Sequence, residues 1–191
     1  ASSMVTGVTS ADPVLWTIES GGNGHYYEII IDTVFWTDAL TGAASRILEV
    51  KNGDLRGYLA TVTSSAEDEF LYDMIAVAGF PNTWLGGSDS GDEGSFTWRA
   101  GPESGNPFTY TNWTLSQPDN SHGDEHYLMM VGQDGSFGFQ GGEWNDARLD
   151  PEGSILEFRP TAYAVEYSLD FPVSIEMTTW GAIKSLYTCD R

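Results

Sequence analysis

The chain alternates between two hydrophobic rhythms. From His25 to Ile31 it reads HYYEIII, a run dense in aromatic and β-branched residues that predicts a strand. Before it, residues 1–24 are polar and glycine-rich around Leu15 and Trp16, which predicts an entry strand with a loop. Thr37, or nearby Thr33, is placed to cap a helix through Asp38, Ala39 and Leu40 toward Ile47, with Gly57 breaking the chain beyond. Leu59 to Val62 reads as a short strand end. Ser64 or Ser65 is a good N-cap, and Glu67, Asp68 and Glu69 put acids where the helix dipole favours them. Phe70, Leu71, Met74 and Ile75 follow at helical spacing, and Gly79 and Pro81 end that helix.

From Thr83 the rhythm becomes short and strand-like. Trp84-Leu85, Phe96 to Trp98, Tyr127 to Val131 and Tyr163 to Tyr167 predict strands. Residues 99–124, rich in Gly, Pro, Ser and Asn, form a long irregular stretch. Helices early and strands late make an α+β pattern. A loop of that length in a compact domain is usually functional.

Composition narrows the function. The 191 residues suit one domain with short additions, and 40% hydrophobic and 13% aromatic residues supply a core. Eight basic against 28 acidic residues give a net charge of −20, which excludes nucleic acid and anionic membrane surfaces as partners. The acidity has two readings: a surface adapted to salt, or carboxylates grouped as ligands for a hard cation. Cys189 is the single cysteine, so neither an internal disulfide nor a Cys-rich metal site is available. No apolar run has the length of a membrane span.

The chemistry concentrates in Gln117-Pro118-Asp119, Glu125 and Trp144-Asn145-Asp146. The polar members offer three carboxylates and two amides, the mixture that calcium takes as oxygen ligands. Each motif alone is an ordinary turn or a core tryptophan. Together, in this order, the segment resembles the calcium-dependent sugar site of C-type lectins. That family carries a Gln-Pro-Asp or Glu-Pro-Asn tripeptide, a Glu eight residues after its first position, and a later Trp-Asn-Asp. Gln117 and Glu125 have that separation. Leu59 to Ser64 resembles the family's passage into its second helix, Trp84-Leu85-Gly86-Gly87 its Trp-Ile-Gly-Leu motif, and Ala164-Val165-Glu166 its last strand. The resemblance covers roughly residues 24–168. Residues 1–168 are expected to form the C-type lectin-like domain, and 169–191 a C-terminal extension of unassigned role.

The resemblance implies an α+β C-type lectin-like fold, with two helices, small antiparallel sheets and a long calcium-binding loop region. It implies a secreted or cell-surface adhesion module, extracellular or periplasmic, that binds glycans and is no enzyme. Calcium would be held by Gln117, Asp119, Glu125, Asn145 and Asp146. Gln-Pro-Asp goes with galactose-type sugars in the family, so these are the expected ligands. An auxiliary calcium is implied at Asp89, Glu93, Asn120 and Glu125, although His126 replaces a further family Asp. A third is implied at Glu67 and Glu166. The tryptophan that commonly follows the tripeptide is missing, which leaves His122, Phe137 and Phe139 as sugar-stacking candidates.

Two departures matter. The family's disulfide positions fall at Ala43 with Val165 and at Tyr127 with Leu149, apolar pairs expected to pack instead, as in bacterial-type members. The stretch from Glu125 to Trp144 is lengthened by residues 133–142, expected as an enlarged hairpin beside the site. A rival within the same fold is a calcium-stabilised protein- or ice-binding domain. A remote one is a zinc peptidase on His122-x-x-Glu125-His126, which would need a helix there; Pro118, Asp119, Asn120 and Gly123 oppose that. In the final segment, Phe171, Val173 and Ile175 alternate like a strand.

Overall fold

The computed structural model describes residues 9–10, 12–135, 138–153 and 158–172. Strands β1 (Thr9–Ser10) and β2 (Val14–Leu15) precede β3 (Tyr26–Ile31) and helix α1 (Trp36–Ala44). A hairpin of β4 (Ile47–Val50) and β5 (Gly53–Leu59) leads to helix α2 (Ser65–Val77). The second half contributes β6 (Thr83–Ser88), β7 (Thr97–Trp98), β8 (Glu125–Met130), β9 (Trp144–Arg148) and β10 (Ala162–Pro172). The two helices on a mixed sheet agree with the α+β expectation.

β10 organises the sheet. It lies antiparallel to β3, with Ala162 opposite Ile31 and Tyr167 opposite Tyr26, and antiparallel to β5 through Val165 and Leu59. Its first residues run parallel to β6, pairing Ala162 with Thr83. β6 then carries β8, and β8 carries β9, so the second-half strands fan outward from β10. One core holds Trp36, Ala43, Leu59, Trp84, Met129 and Val165; the other holds Tyr27, Leu71, Ile75, Leu85, Trp98 and Trp144.

Ser64 caps α2 as expected: its backbone is extended and its hydroxyl accepts from the Glu67 N–H at 3.2 Å. The start of α1 differs from expectation. The helix opens at Trp36 after Phe35, with no side-chain cap, and ends before Ile47, which starts β4. Its anchor is tertiary: the buried Trp36 indole donates to the Leu85 carbonyl at 2.8 Å. Gly57 does not break the chain but lies inside β5. A Cβ there would meet the Ala43 carbonyl oxygen at 2.7 Å, so glycine lets α1 rest on the strand.

The disulfide positions divide. Ala43 and Val165 are fully buried in one core, as a packed pair should be. Tyr127 lies opposite Ala147 with its ring 4.9 Å from Trp36, whose backbone N–H donates to the Leu149 carbonyl at 3.2 Å, while Leu149 is 37% exposed. β10 continues past Tyr167 to Pro172, and Phe171 packs its ring on Tyr58 at 5.1 Å. The rest of the expected C-terminal pattern, from Val173 onward, lies outside the described residues.

The long irregular stretch is held by aromatic contacts. Trp98 meets Phe108 at 4.2 Å, Phe96 meets Trp113 at 4.9 Å, and Trp113 meets Trp144 edge-on at 5.8 Å. A Cβ on Gly87 would lie 2.4 Å from the Phe108 ring, so this strand admits only glycine beneath it. The Trp144 N–H donates to Asn112 O and the Thr114 N–H to Trp144 O, at 2.7 and 2.9 Å. The loop is thereby tied to the start of β9.

Candidate functional site

β9 begins with Trp144, fully buried, followed by Asn145 and Asp146. The Trp144 indole donates to Asp68 Oδ1 at 2.6 Å, and Asn112 donates to Asp68 Oδ2 at 2.8 Å. One carboxylate on α2 thus fixes both the loop and the strand. Burial pushes the Asp68 carboxyl up to about 6, against the lowering effect of those two hydrogen bonds. Sequence spacing gave no sign of this link, because the partners lie far apart along the chain.

Across from β9, the cis Gln117–Pro118 peptide delivers Asp119 and Asn120. Asp146 receives them: its Oδ1 accepts from the Asp119 N–H at 3.3 Å and its Oδ2 from the Asn120 N–H at 2.8 Å. Gln117 Oε1 shares the Asp119 N–H at 3.0 Å. Glu125, at the start of β8, accepts from the Ser121 N–H at 3.0 Å, and its own N–H donates to Asn120 Oδ1 at 3.1 Å. The loop is thus wound around its own acidic side chains.

Asp119, Glu125 and Asp146 each turn a carboxylate oxygen to within 4.8 Å of the others. Burial, then the Asp146 charge, pushes the Glu125 carboxyl up to about 7, although the Ser121 N–H lowers it. Burial also raises Asp146, against the lowering hydrogen bonds from Asn120 and Asp119. Such a group of acids is stabilised by a cation. Asn145 adds a second sign. Its side chain is 5% exposed, its Nδ2 donates to the Asp146 carbonyl, and its Oδ1 has no hydrogen-bond partner. An orphaned buried acceptor costs about 1–3 kcal/mol unless something satisfies it. A hard, oxygen-seeking ion fits this donor set, so the residues suit calcium.

The remaining candidates divide. Asp89, Glu93 and His126 also converge within 4.8 Å, whereas Asn120 Oδ1 and Glu125 Oε2 bond within the loop cluster. Glu67 and Glu166 meet around the Tyr27 hydroxyl, at 2.5 and 3.2 Å. His25, whose role sequence reasoning missed, places Nδ1 at 2.6 Å from Glu166 Oε1. Burial lowers the His25 ring's proton affinity, but the Glu166 hydrogen bond and charge outweigh it and raise its pKa. Burial, then the Glu166 charge, raises Glu67.

His122 is exposed near the site, within 2.9 Å of the Ser121 hydroxyl. Phe139 does not join the site. Its ring packs at a tilt against Phe158, centroids 4.4 Å apart, in a groove with Phe80 and Val131, beyond the end of β8 remote from Glu125. The lengthened stretch therefore builds that other end, and Phe137 lies outside the described residues. The zinc-peptidase pattern fails on geometry: His122 sits in a short turn with φ of 63°, and His126 is on a strand.

The profile of the Lectin C-type domain family matches residues 52–148, just over half of the 191. The chain belongs to the C-type lectin domain family. That family is non-enzymatic. This lectin domain is 32% identical to Halomucin of Haloquadratum walsbyi over 145 residues, which are 71% of this chain and 1% of that protein. It is 30% identical to the galactose-specific lectin nattectin of Thalassophryne nattereri over 102 residues, 52% of this chain and 57% of that one. The lectin domain spans less than two thirds of the length of these curated relatives. Among solved structures it is similar to the C-type lectin CEL-I of Cucumaria echinata, with a TM-score of 0.58 and 23% identity over 77% of this chain and 92% of that one. Among the described residues, no helix is long and apolar enough to cross a membrane.

Proposed function

We propose that this domain binds glycans through one calcium ion held by Gln117, Asp119, Glu125, Asn145 and Asp146. The observation that carries the reading is the convergence of three carboxylates beside the unpartnered Asn145 Oδ1. Calcium, when bound, supplies two coordination positions to neighbouring sugar hydroxyls. The chain's own residues then orient the sugar. Asp119 and Glu125 accept from the hydroxyl protons, and the Gln117 and Asn145 amides donate to the hydroxyl oxygens. Asp119 is exposed and Asp146 buried, so Asp119 faces the ligand and Asp146 holds the loop.

Galactose-type sugars are the proposed ligands. The support is the order amide, proline, acid at Gln117-Pro118-Asp119 and the similarity to a galactose-specific lectin. An extracellular or periplasmic setting accords with this, because extracellular modules bind calcium at about 10⁻⁴–10⁻³ M, a level resting cytosol does not supply. The test is competition by free galactose and mannose against immobilised glycan, in wild type and in a variant carrying both Gln117→Glu and Asp119→Asn. Galactose should compete better with wild type, and the exchange should reverse the order. A wild-type preference for mannose, or an unchanged order in the variant, would overturn the specificity.

A further inference from the structure

The cluster on the other side of Glu125 differs in chemistry. Asp89 directly follows β6 and its side chain is 1% exposed. Its Oδ2 accepts from the Gly94 N–H at 2.8 Å, which fixes the carboxylate, and its Oδ1 faces His126 Nδ1 at 3.2 Å. Glu93 Oε2 lies at 3.2 Å from the same nitrogen, from a side chain 53% exposed. The backbone is fixed as well: the Asp89 N–H donates to the His126 carbonyl at 3.2 Å, and the Asp92 N–H to the Asp89 carbonyl at 2.9 Å. A buried carboxylate is thus anchored from behind and aimed at an imidazole, with a second carboxylate free to close from the solvent side.

We infer that Asp89, Glu93 and His126 form a site for a divalent transition ion of the zinc type, distinct from the proposed calcium site. The donor set decides the class. Calcium wants 6–8 oxygens, whereas this cluster gives one nitrogen and two carboxylates. Asn120 and Glu125, which would add oxygens, bond within the other cluster. Imidazole with carboxylates suits zinc and its neighbours. Geometry agrees. Zinc bonds of about 2.0–2.2 Å in a tetrahedron put neighbouring donors about 3.3–3.6 Å apart. The observed 3.2 Å separations from His126 to both carboxylates need only slight expansion. Three protein donors leave the fourth position open to water or a ligand atom. The Gly94 N–H on Asp89 is the outer-shell contact that holds a metal-binding carboxylate in place.

Direct hydrogen bonding between His126 and the two acids would produce the same contacts without a metal, and the experiment separates the two. Zinc is titrated calorimetrically into the full chain in saturating calcium, for wild type, His126→Ala and Glu93→Gln, with circular dichroism checking each fold. The expected result is one zinc ion per chain, with affinity falling at least about 100-fold in His126→Ala, more than an outer-shell loss of about 10–100-fold. Glu93→Gln, a change at a half-exposed side chain, should weaken zinc by a smaller factor without disturbing the fold. No zinc binding to wild type, or equal binding to folded His126→Ala, would overturn the site. A separate calcium titration of the same three proteins, each first freed of calcium, reads the sugar site on its own, so failure of one reading leaves the other standing.

Discussion

Individual side chains around Glu125 set the response to protons and cations. Its carboxyl is pushed up to about 7 by burial and then by Asp146, from an ordinary value of 4.5. A carboxyl with a raised folded pKa binds protons more readily in the native state. Without calcium, its contribution to stability therefore falls as pH rises from about 4.5 to 7. The prediction is that the melting temperature in chelator declines over that window, and that Glu125→Gln flattens the decline when scanned by calorimetry. Calcium at the proposed site would compete with the same proton, so the stabilisation it gives wild type should grow from pH 5 to 7. At Asp119, exposed and outside the core, Asp119→Ala should abolish calcium-dependent sugar binding and leave the melting temperature in chelator nearly unchanged. Isothermal titration and differential scanning calorimetry on one preparation check both halves.

Between elements, the decisive tie is α2 to β9 through Asp68. Replacing it with Ala would leave the Trp144 indole N–H and an Asn112 amide hydrogen without their acceptor. The expected cost is about 1–3 kcal/mol, measured by urea unfolding. Because Trp144 precedes the site residues, calcium affinity should fall too. Sequence could not foresee this, since a contact between residues 68 and 144 has no local signature. What it foresaw had local causes: the Ser64 cap, the Phe70 to Ile75 periodicity and the β-branched run of β3. The β4–β5 hairpin escaped because Ile47 reads as the end of a helical run and Gly57 as a chain break, and β9 because Asn145 and Asp146 are poor strand formers. The convergence of the Asp119, Glu125 and Asp146 carboxylates was legible through the resemblance to the family's motifs. Phe139 was misplaced because spacing cannot say to which end of β8 a long connection folds back.

For the whole molecule, a charge of −20 on 191 residues makes self-repulsion a term in stability. Raising sodium chloride in chelator should raise the melting temperature, most steeply below about 0.15 M, where screening lengths exceed about 8 Å. A decrease with salt would show that surface ion pairs outweigh repulsion. A glycan held only at the proposed calcium site would make few contacts, so clustered glycans should bind more tightly than single ones by about 10²–10⁴. The central claim, calcium-dependent glycan recognition at Asp119, Glu125 and Asp146, is tested most directly by binding to a galactose-bearing surface with calcium and then with chelator. The account predicts binding at millimolar calcium, complete release by chelator, and no binding by Asp119→Ala. Binding that persists in chelator, or that survives Asp119→Ala, would contradict it.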